Sequence, residues 1–408
     1  MTTVVDIAQL GRPETGSSTG TVCEPSVAVS GHRRMITGNW FASRSTDGGT
    51  TWEHVDPFTE FPASGPGFCC DQLVHYSRSR RLWIWLLQYR KDGAGNIVRI
   101  AVSSTGAPGT WTWWDTRPTD VDPAWDDVWF DYPDLVETDD KLAVSFNVFG
   151  VADDRWRRAV VLRFSLDELK ARGAIGREAW STDRIGSLRF AKGAGADAVF
   201  AGHDPTQFAV VVFSWADSAA DAAAVQPTSV PVRAWNQGPY LAASPDGGRW
   251  LDRLDDRITA GWRTDDQIGF AWSASADATH PLPFVRVVRL RPDDLTVIDE
   301  PDLWSSDCAW AYPAAAANGR GDVGVTAFCG GGSSFPAHAV GWLDPDVGTW
   351  VMTTATASTH GPGDGKWGDY IDLLPDPTRT TYWIASGFTL DGGNARTNVR
   401  PQVVTFKP

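Results

Sequence analysis

The sequence has no long apolar run and little positive charge. No uninterrupted stretch of apolar side chains exceeds six residues, whereas a membrane-spanning helix needs about 20. The 36 Lys and Arg residues are outnumbered by 50 Asp and Glu, giving a formal net charge of -14 at pH 7. This charge opposes attraction to nucleic acid and to anionic lipid. We therefore expect neither a nucleic acid nor a membrane as a partner.

Cysteine and histidine show no pattern of a disulfide scaffold or a metal site. The five cysteines are an odd number in a long chain, so we expect most of them to be buried thiols. The seven histidines never stand at metal-ligand spacing, which disfavours a structural zinc. The first twenty residues lack the basic start and apolar block of a signal peptide. We expect a cytoplasmic protein or a trimmed secreted one.

Glycine, proline and tryptophan are abundant instead. The 408 residues include 40 Gly, 26 Pro and 22 Trp, a composition of frequent turns around an aromatic core. Helical signals are scarce, and the best one is the segment 165–172, which Ser165 caps and Gly173 ends. Short β-rich segments recur along the whole chain, for example 81–88, 141–149, 284–290 and 401–406. The chain is therefore predicted to be all-β.

A recurring phrase divides the chain into seven modules. In each, a polar or proline-containing pair leads into a short apolar strand, which a Gly/Asp turn follows. The phrase begins at Glu24, Asp71, Tyr132, Tyr312 and Asp369, and more weakly at Leu188 and Pro239. The spacing averages about 57 residues, enough for a four-stranded sheet with long loops. We predict a seven-bladed β-propeller of four-stranded antiparallel blades. It forms one domain over 1–408, and its ring is closed by the N- and C-terminal strands 3–8 and 402–406.

One turn motif suggests a family of propellers. The segment Ser45-Thr46-Asp47-Gly48-Gly49-Thr50-Thr51-Trp52 matches the pattern Ser-x-Asp-x-Gly-x-Thr-Trp. Its aspartate is suited to accept local backbone N–H bonds, and its glycines to supply positive φ. The segment resembles the Asp-box, or BNR repeat, of the sialidase-like propellers, with degenerate copies near 103–111 and 244–250. In that family the boxes lie on the face of the ring away from the active site.

The resemblance has a limit that bears on activity. Sialidases bind the carboxylate of their substrate with three arginines, and the first lies in an Arg-Ile-Pro phrase early in blade one. Here Glu24-Pro25 stands in that place with the opposite charge, so we expect that the protein is not a true sialidase. Polysaccharide lyases and non-catalytic lectins share the scaffold. The resemblance therefore implies a carbohydrate ligand without fixing the reaction.

The architecture predicts where a site would form. The innermost strand of each propeller blade begins at the central funnel, so the seven phrases should meet there. The predicted catalytic side chains are Asp71, Glu24, Asp369, Tyr132 and His203. The predicted substrate-binding side chains are Arg189, Tyr312, Tyr240, Arg263 and Trp367, the last as a stacking surface for a sugar ring. We predict no metal ligands.

Such a group of side chains is compatible with three kinds of chemistry. Paired carboxylates supply the acid and the base or nucleophile of glycoside hydrolysis. A tyrosine beside a histidine or arginine is suited to remove a proton next to a uronate, as in a lyase. A ring of carboxylates also suits a hard cation such as calcium, the one cofactor considered.

The sequence therefore favours a carbohydrate-active enzyme that cleaves a glycosidic linkage in the funnel, by hydrolysis or by elimination. The expected ligand is a small molecule or an oligosaccharide. Two alternatives remain open. One is a non-catalytic, lectin-like glycan-binding propeller, and the other is a small-molecule biosynthetic enzyme on the same scaffold.

Overall fold

The strands of the protein form seven antiparallel sheets. The computed structural model describes residues 1–16, 18–193, 195–219 and 221–408. Each sheet in these ranges has four strands. Six sheets take their strands consecutively from the chain, and the seventh also takes the first strand of the protein. The fold is the predicted seven-bladed β-propeller.

The first three blades follow the N-terminal strand β1, Thr3–Gln9. Blade 1 contains β2–β5, which span Ser26–Ser30, Arg33–Gly38, Phe41–Ser45 and Glu53–Val55. Blade 2 contains β6–β9, which span Phe68–Ser77, Leu82–Tyr89, Val98–Ser103 and Thr112–Thr116. Blade 3 contains β10–β13, which span Val128–Glu137, Lys141–Gly150, Trp156–Ser165 and Glu178–Thr182.

The next three blades repeat this order. Blade 4 contains β14–β17, which span Arg189–Phe190, Asp197–His203, Ala209–Ala216 and Pro227–Pro231. Blade 5 contains β18–β21, which span Ile258–Arg263, Ile268–Ala274, Phe284–Leu290 and Val297–Asp299. Blade 6 contains β22–β25, which span Ala309–Ala317, Val323–Gly331, Ser334–Asp344 and Thr349–Ala357. The innermost strand of blade 5 begins at Ile258, 19 residues after Pro239, so the module start predicted at Pro239 is wrong.

Blade 7 joins the two ends of the chain. Its strands β26–β28 span Leu373–Pro375, Trp383–Leu390 and Val399–Lys407. The outermost strand is β1, which runs antiparallel to β28 with Thr3 opposite Lys407. The two terminal strands therefore pair within one sheet, which closes the ring by joining both ends of the chain in the last blade.

Helices are few and short. In the described ranges they are α1 (Arg12–Thr15), α2 (Pro118–Val121) and α3 (Leu166–Ala171), with 3-10 turns at Ala222–Ala224 and Arg396–Asn398. The predicted helix at 165–172 is α3, and the Ser165 side chain accepts the N–H of Glu168 at its start. None of the described helices is long and apolar enough to cross a bilayer.

Burial explains the strand sequences. All eight residues of β7 are buried, because the inner strands of a blade are covered on both faces by the neighbouring blades. Large indole rings fill the space between blades, and Trp85, Trp262, Trp272 and Trp383 are fully buried. Much of the tryptophan excess is therefore packing material.

The Asp-box-like segment forms the turn between β4 and β5. Asp47 accepts the backbone N–H of Thr51 at 2.9 Å, and the Trp52 indole donates to the Gly49 carbonyl at 3.0 Å. Gly48 and Gly49 have φ of 81° and 95°. Since strands alternate in direction, this turn lies on the face opposite to the one where the innermost strands begin. We call the latter the cavity face.

Candidate functional site

A cavity of about 950 Å³ opens on the cavity face around the propeller axis. Its walls are formed by residues at the beginnings of innermost strands and by the connections between the second and third strands of several blades. All five predicted catalytic residues line it: Glu24, Asp71, Tyr132, His203 and Asp369. The topology thus gathers side chains separated by more than 300 residues in sequence.

Carboxyl groups crowd one side of this cavity. Burial, then the charges of Asp71 and Asp369, raises the pKa of Glu24 well above its ordinary value. Burial, then Asp131 and Asp369, likewise raises the pKa of Asp71. Asp131 accepts a hydrogen bond from the Gln88 amide at 2.9 Å, and burial raises its pKa too. Like charges in a poorly solvated space oppose one another's ionisation, so these carboxyl groups favour the protonated form more than an exposed carboxyl group does.

Asp369 is the exception in this group. Arg253 binds it with both arms, Nε to Oδ1 and Nη2 to Oδ2, each at 2.8 Å, and Arg257 approaches Oδ1 at 3.3 Å. Burial alone would raise the pKa of Asp369, but the charges and hydrogen bonds of the two arginines lower it overall. The cavity therefore holds an ionised carboxylate beside carboxyl groups that tend to stay protonated.

Below the carboxyl groups, an ionic layer divides the propeller axis. Arg189 donates to the Tyr132 hydroxyl at 2.9 Å and lies 3.0 Å from Asp134. Lys192 bridges Asp134 at 3.7 Å and Asp372 at 3.0 Å. Lys192 and Asp372 also line a second cavity of about 450 Å³ formed by the later parts of the innermost strands. We call Asp134, Arg189, Lys192 and Asp372 the axial floor. Arg189 thus belongs to the support of the site, since it contacts Tyr132 from behind.

Left-handed backbone occurs just before or within the first half of several innermost strands. Glu24, Tyr132, Ser187 and Tyr312 have φ between 49° and 55°, a region that residues other than glycine seldom occupy. At Tyr132 and Tyr312 the strand register also skips, so that two residues face one on the next strand. Such conformations persist only where their surroundings enforce them, and they concentrate at functional sites.

His203 reaches the cavity wall from the end of β15. Its ring lies 4.7 Å from that of Trp235 and 4.8 Å from that of Trp272. Burial lowers its pKa to about 4, against the opposing charge of Asp256. Neither ring nitrogen has a hydrogen-bond partner among the described residues. At neutral pH the ring is uncharged and a weak base.

Other buried polar atoms at the cavity are also without partners in the described parts of the chain. They are Oε1 of Glu24, Oδ1 of Asn39 and Oε1 of Gln88. A buried acceptor without a donor costs about 1–3 kcal/mol. A ligand with several hydrogen-bond donors would satisfy these three acceptors.

Aromatic rings form the rest of the wall. Trp40, Trp129, Phe149 and Trp156 line the cavity and are each half-buried. The Trp129 and Phe149 rings lie 5.7 Å apart, and the Trp156 indole donates to Asn147 at 3.2 Å. Half-exposed rings beside polar groups present both an apolar face and fixed hydrogen-bonding atoms.

The remaining predicted binding residues lie outside this cavity lining. Trp367 is 0% exposed and packs 4.8 Å from Phe388, so the expected stacking surface is instead part of the core. Arg263 ends β18 on the opposite face, where it pairs with Asp197. Tyr240 and Tyr312 are buried, and neither hydroxyl has a hydrogen-bond partner in the described ranges.

The sequence reasoning missed Asp131, Arg253 and Arg257. Asp131 directly precedes Tyr132, the predicted start of its module. The alternation of side chains along β10 is the sequence signal that could have identified it. Arg253 and Arg257 lie in the irregular segment between β17 and β18, which carries no periodic pattern. No local signal predicts that they reach Asp369, more than 100 residues away.

The cysteine prediction also needs correction. Cys69 and Cys70 form a disulfide between adjacent residues, and both line the cavity. Cys23 and Cys329 are buried thiols, and Cys308 is a partly buried one. In the described residues, no group of three or more His, Cys, Asp or Glu side chains is arranged to hold a metal ion.

Comparisons with known proteins reach only the fold. No protein-family model and no curated protein sequence matches the chain. A solved Dos1 propeller is similar at 11% identity and a TM-score of 0.49, over 100% of this chain and 95% of that one. The E242A mutant of the α-L-arabinofuranosidase Arb93A from Fusarium graminearum is similar at 12% identity and a TM-score of 0.46, over 99% of this chain and 97% of that one. The hemagglutinin-neuraminidase ectodomain of parainfluenza virus 5 is similar at 11% identity and a TM-score of 0.41, over 86% of this chain and 85% of that one.

These values carry no argument about activity. The likeness to the sialidase-like family, suggested by the segment 45–52, therefore stays at the level of the propeller fold. What the protein does has to be argued from the cavity itself.

Proposed function

We propose that the protein is a glycoside hydrolase whose active site is the cavity around Glu24, Asp71 and Asp369. The observation that carries the proposal is the unequal surroundings of two carboxyl groups in one cavity. Asp369 is bound by Arg253 and Arg257, whereas Asp71 makes no hydrogen bond or ion pair with the described residues. Burial and like charge raise the pKa of Asp71, while Arg253 and Arg257 lower that of Asp369. Glycoside hydrolysis uses one protonated and one ionised carboxyl group.

The cavity wall supports a sugar as the ligand. Half-buried rings such as Trp129 and Trp156 offer flat apolar faces, against which the C–H faces of a sugar ring pack. The unpartnered acceptors of Glu24, Asn39 and Gln88 suit the hydroxyl donors of the same ring. An oligosaccharide is therefore favoured over an apolar ligand.

Hydrolysis is favoured over elimination by the state of the candidate bases. Burial raises the pKa of Tyr132, whose hydroxyl is already bound to Arg189. The pKa of His203 is about 4. Neither group is a strong proton acceptor at neutral pH, as removal of the proton next to a uronate would require.

In the proposed reaction, Asp71 is the general acid. It donates its proton to the glycosidic oxygen as the bond to the leaving group breaks. Asp369, kept ionised by the arginines, stabilises the positive charge that develops on the sugar ring. Water then adds to the anomeric carbon and gives its proton to the Asp71 carboxylate, which regenerates the acid. Tyr132 and the axial floor fix the position of this group of side chains.

Turnover of a panel of aryl glycosides tests the proposal. The Asp71→Asn variant should lose about 10²–10⁴-fold in kcat, and less for substrates whose leaving group is already acidic and needs no proton. Asp369→Asn should lose activity on both kinds of substrate. Asp293→Asn, an exposed residue of the turn between β20 and β21 on the opposite face, is the control.

Two outcomes would contradict the proposal. If Asp71→Asn turns over as fast as Asp293→Asn, Asp71 is not the acid. If no glycoside is cleaved while a glycan array shows binding that Trp129→Ala abolishes, the protein is a glycan-binding propeller instead.

A further inference from the structure

The disulfide at the cavity joins two residues adjacent in sequence and directly precedes Asp71. Cys69 and Cys70 are each half-buried and line the cavity. Neither role discussed above, acid or aromatic wall, uses them. Their position next to a residue of the carboxyl group raises the question of what the bond does for Asp71.

The sheet leaves this stretch of backbone unpaired. In blade 2, Phe68 pairs with Tyr89, and the next pair is Gln72 with Leu87. Three residues, 69–71, therefore face the single residue Gln88. On blades 3 and 6 the corresponding irregularity has two residues against one. The ladder fixes Asp71 less well than it fixes residues at the matching places of those blades.

The Asp71 side chain has no local anchor either. In the described parts of the chain, its carboxyl group makes neither a hydrogen bond nor an ion pair within 4 Å. Asp131 and Asp369, in contrast, are held by Gln88 and by Arg253. The position of Asp71 therefore depends on its own backbone.

A disulfide between neighbours restricts that backbone directly. It closes a small ring that contains the peptide bond between Cys69 and Cys70, so the rotations on either side of that bond are coupled. The closed ring therefore removes conformational freedom that residues 69–71 would otherwise keep. The bond is the constraint nearest to Asp71 in the chain.

We propose that the Cys69–Cys70 disulfide is a reducible positioning element, which holds Asp71 among the carboxyl groups of the cavity and releases it when a dithiol reduces the bond. Its effect on turnover rests on the proposed function. Its effect on the surroundings of Asp71 does not.

The reduction is an ordinary thiol–disulfide exchange. A thiolate of the dithiol attacks the sulfur of Cys69 or Cys70, breaks the S–S bond and forms a mixed disulfide. The second thiolate of the reductant then displaces the protein sulfur. The protein gains two electrons and two protons as two thiols, and the dithiol leaves as its own cyclic disulfide.

The test uses the full chain with ¹³C-labelled aspartate, before and after treatment with dithiothreitol. The count of free thiols should rise from the three of Cys23, Cys308 and Cys329 to all five. The Asp71 carboxyl resonance, assigned with Asp71→Asn, should titrate at a raised pKa in the oxidised protein. It should move toward the ordinary value of about 3.9 in the reduced protein.

Matched variants separate the disulfide from the other thiols. Cys69→Ser/Cys70→Ser should resemble the reduced protein under both conditions, and Cys69→Ala/Cys70→Ala serves if the serine variant does not fold. Cys308→Ser/Cys329→Ser should still respond to dithiothreitol as the wild type does. Turnover of a cleaved glycoside should fall at least tenfold on reduction and return on reoxidation.

The outcomes distinguish the two proposals. An Asp71 pKa that is the same in the oxidised, reduced and serine forms overturns the inference, whatever the activity. A pKa that shifts with reduction while no glycoside is cleaved supports the inference and removes the hydrolase proposal.

Discussion

Replacing Asp134 by asparagine should be among the most destabilising single changes in this protein. Asp134 is 1% exposed and belongs to the axial floor. Its carboxylate lies 3.0 Å from Arg189, accepts the backbone N–H of Phe190 at 2.9 Å and lies 3.7 Å from Lys192. It thus joins the innermost strands of blades 3 and 4 through charge as well as through hydrogen bonds.

The expected magnitude follows from the partner that is left behind. Asparagine keeps the shape of the side chain but removes its charge, so the guanidinium of Arg189, itself 3% exposed, loses its buried counter-ion. Removing one member of a buried ion pair costs about 3–5 kcal/mol, because the other charge stays desolvated. We expect a loss in this range for Asp134→Asn.

Urea unfolding at pH 7, followed by tryptophan fluorescence, measures the effect. The exposed control Asp293→Asn should lie within about 0.5 kcal/mol of the wild type. The double variant Asp134→Asn/Arg189→Gln should be less destabilised than the sum of its parts, because it leaves no unpaired charge. A loss below about 1 kcal/mol for Asp134→Asn, or strict additivity of the two changes, would refute this account of the axial floor.

Two further changes test packing and buried charge. Gly269→Ala should destabilise by about 1–3 kcal/mol, because its Cβ would lie 2.0 Å from the Trp262 ring. Gly93→Ala, with no atom within 4 Å of the added carbon, should not; equal thermal stability of the two would contradict the packing. Glu24→Gln should be more stable than the wild type, and this stability difference should grow as the pH rises above about 4.3. The raised pKa of Glu24 means that the folded state binds the extra proton, so wild-type stability falls with rising pH. Urea unfolding of both proteins at pH 4 and pH 8 measures this effect. The free energy of unfolding of Glu24→Gln should exceed that of the wild type by more at pH 8 than at pH 4, and an equal difference at the two pH values would contradict the prediction.

Much of the fold was accessible from the sequence because each blade repeats the same local chemistry. The segment 284–290 was predicted with the bounds that β20 has, and the phrases at Tyr132 and Tyr312 mark real strand irregularities. Blade 5 was misplaced because Pro239 imitates the phrase, while the innermost strand follows a long irregular segment. The local sequence pattern does not distinguish a proline-containing loop from the beginning of a strand.

The site was accessible only where it follows from the repeat. Glu24, Asp71 and Asp369 were predicted to meet because equivalent positions of a ring converge on its axis, and they line one cavity. Arg253 escaped because its place depends on the path of a loop, which tertiary contacts determine. The Cys69–Cys70 bond escaped because counting cysteines by parity says nothing about neighbours.

The pairing of β1 with β28 also determines on which face of the ring the two ends of the chain lie. Because strands alternate in direction outward from the axis, β28 ends and β1 begins on the side of the ring away from the cavity. A tag, linker or solid support joined near either Thr3 or Lys407 would therefore extend behind the ring. Protein anchored in this way should keep its opening turned outward, within reach of a long polymeric ligand.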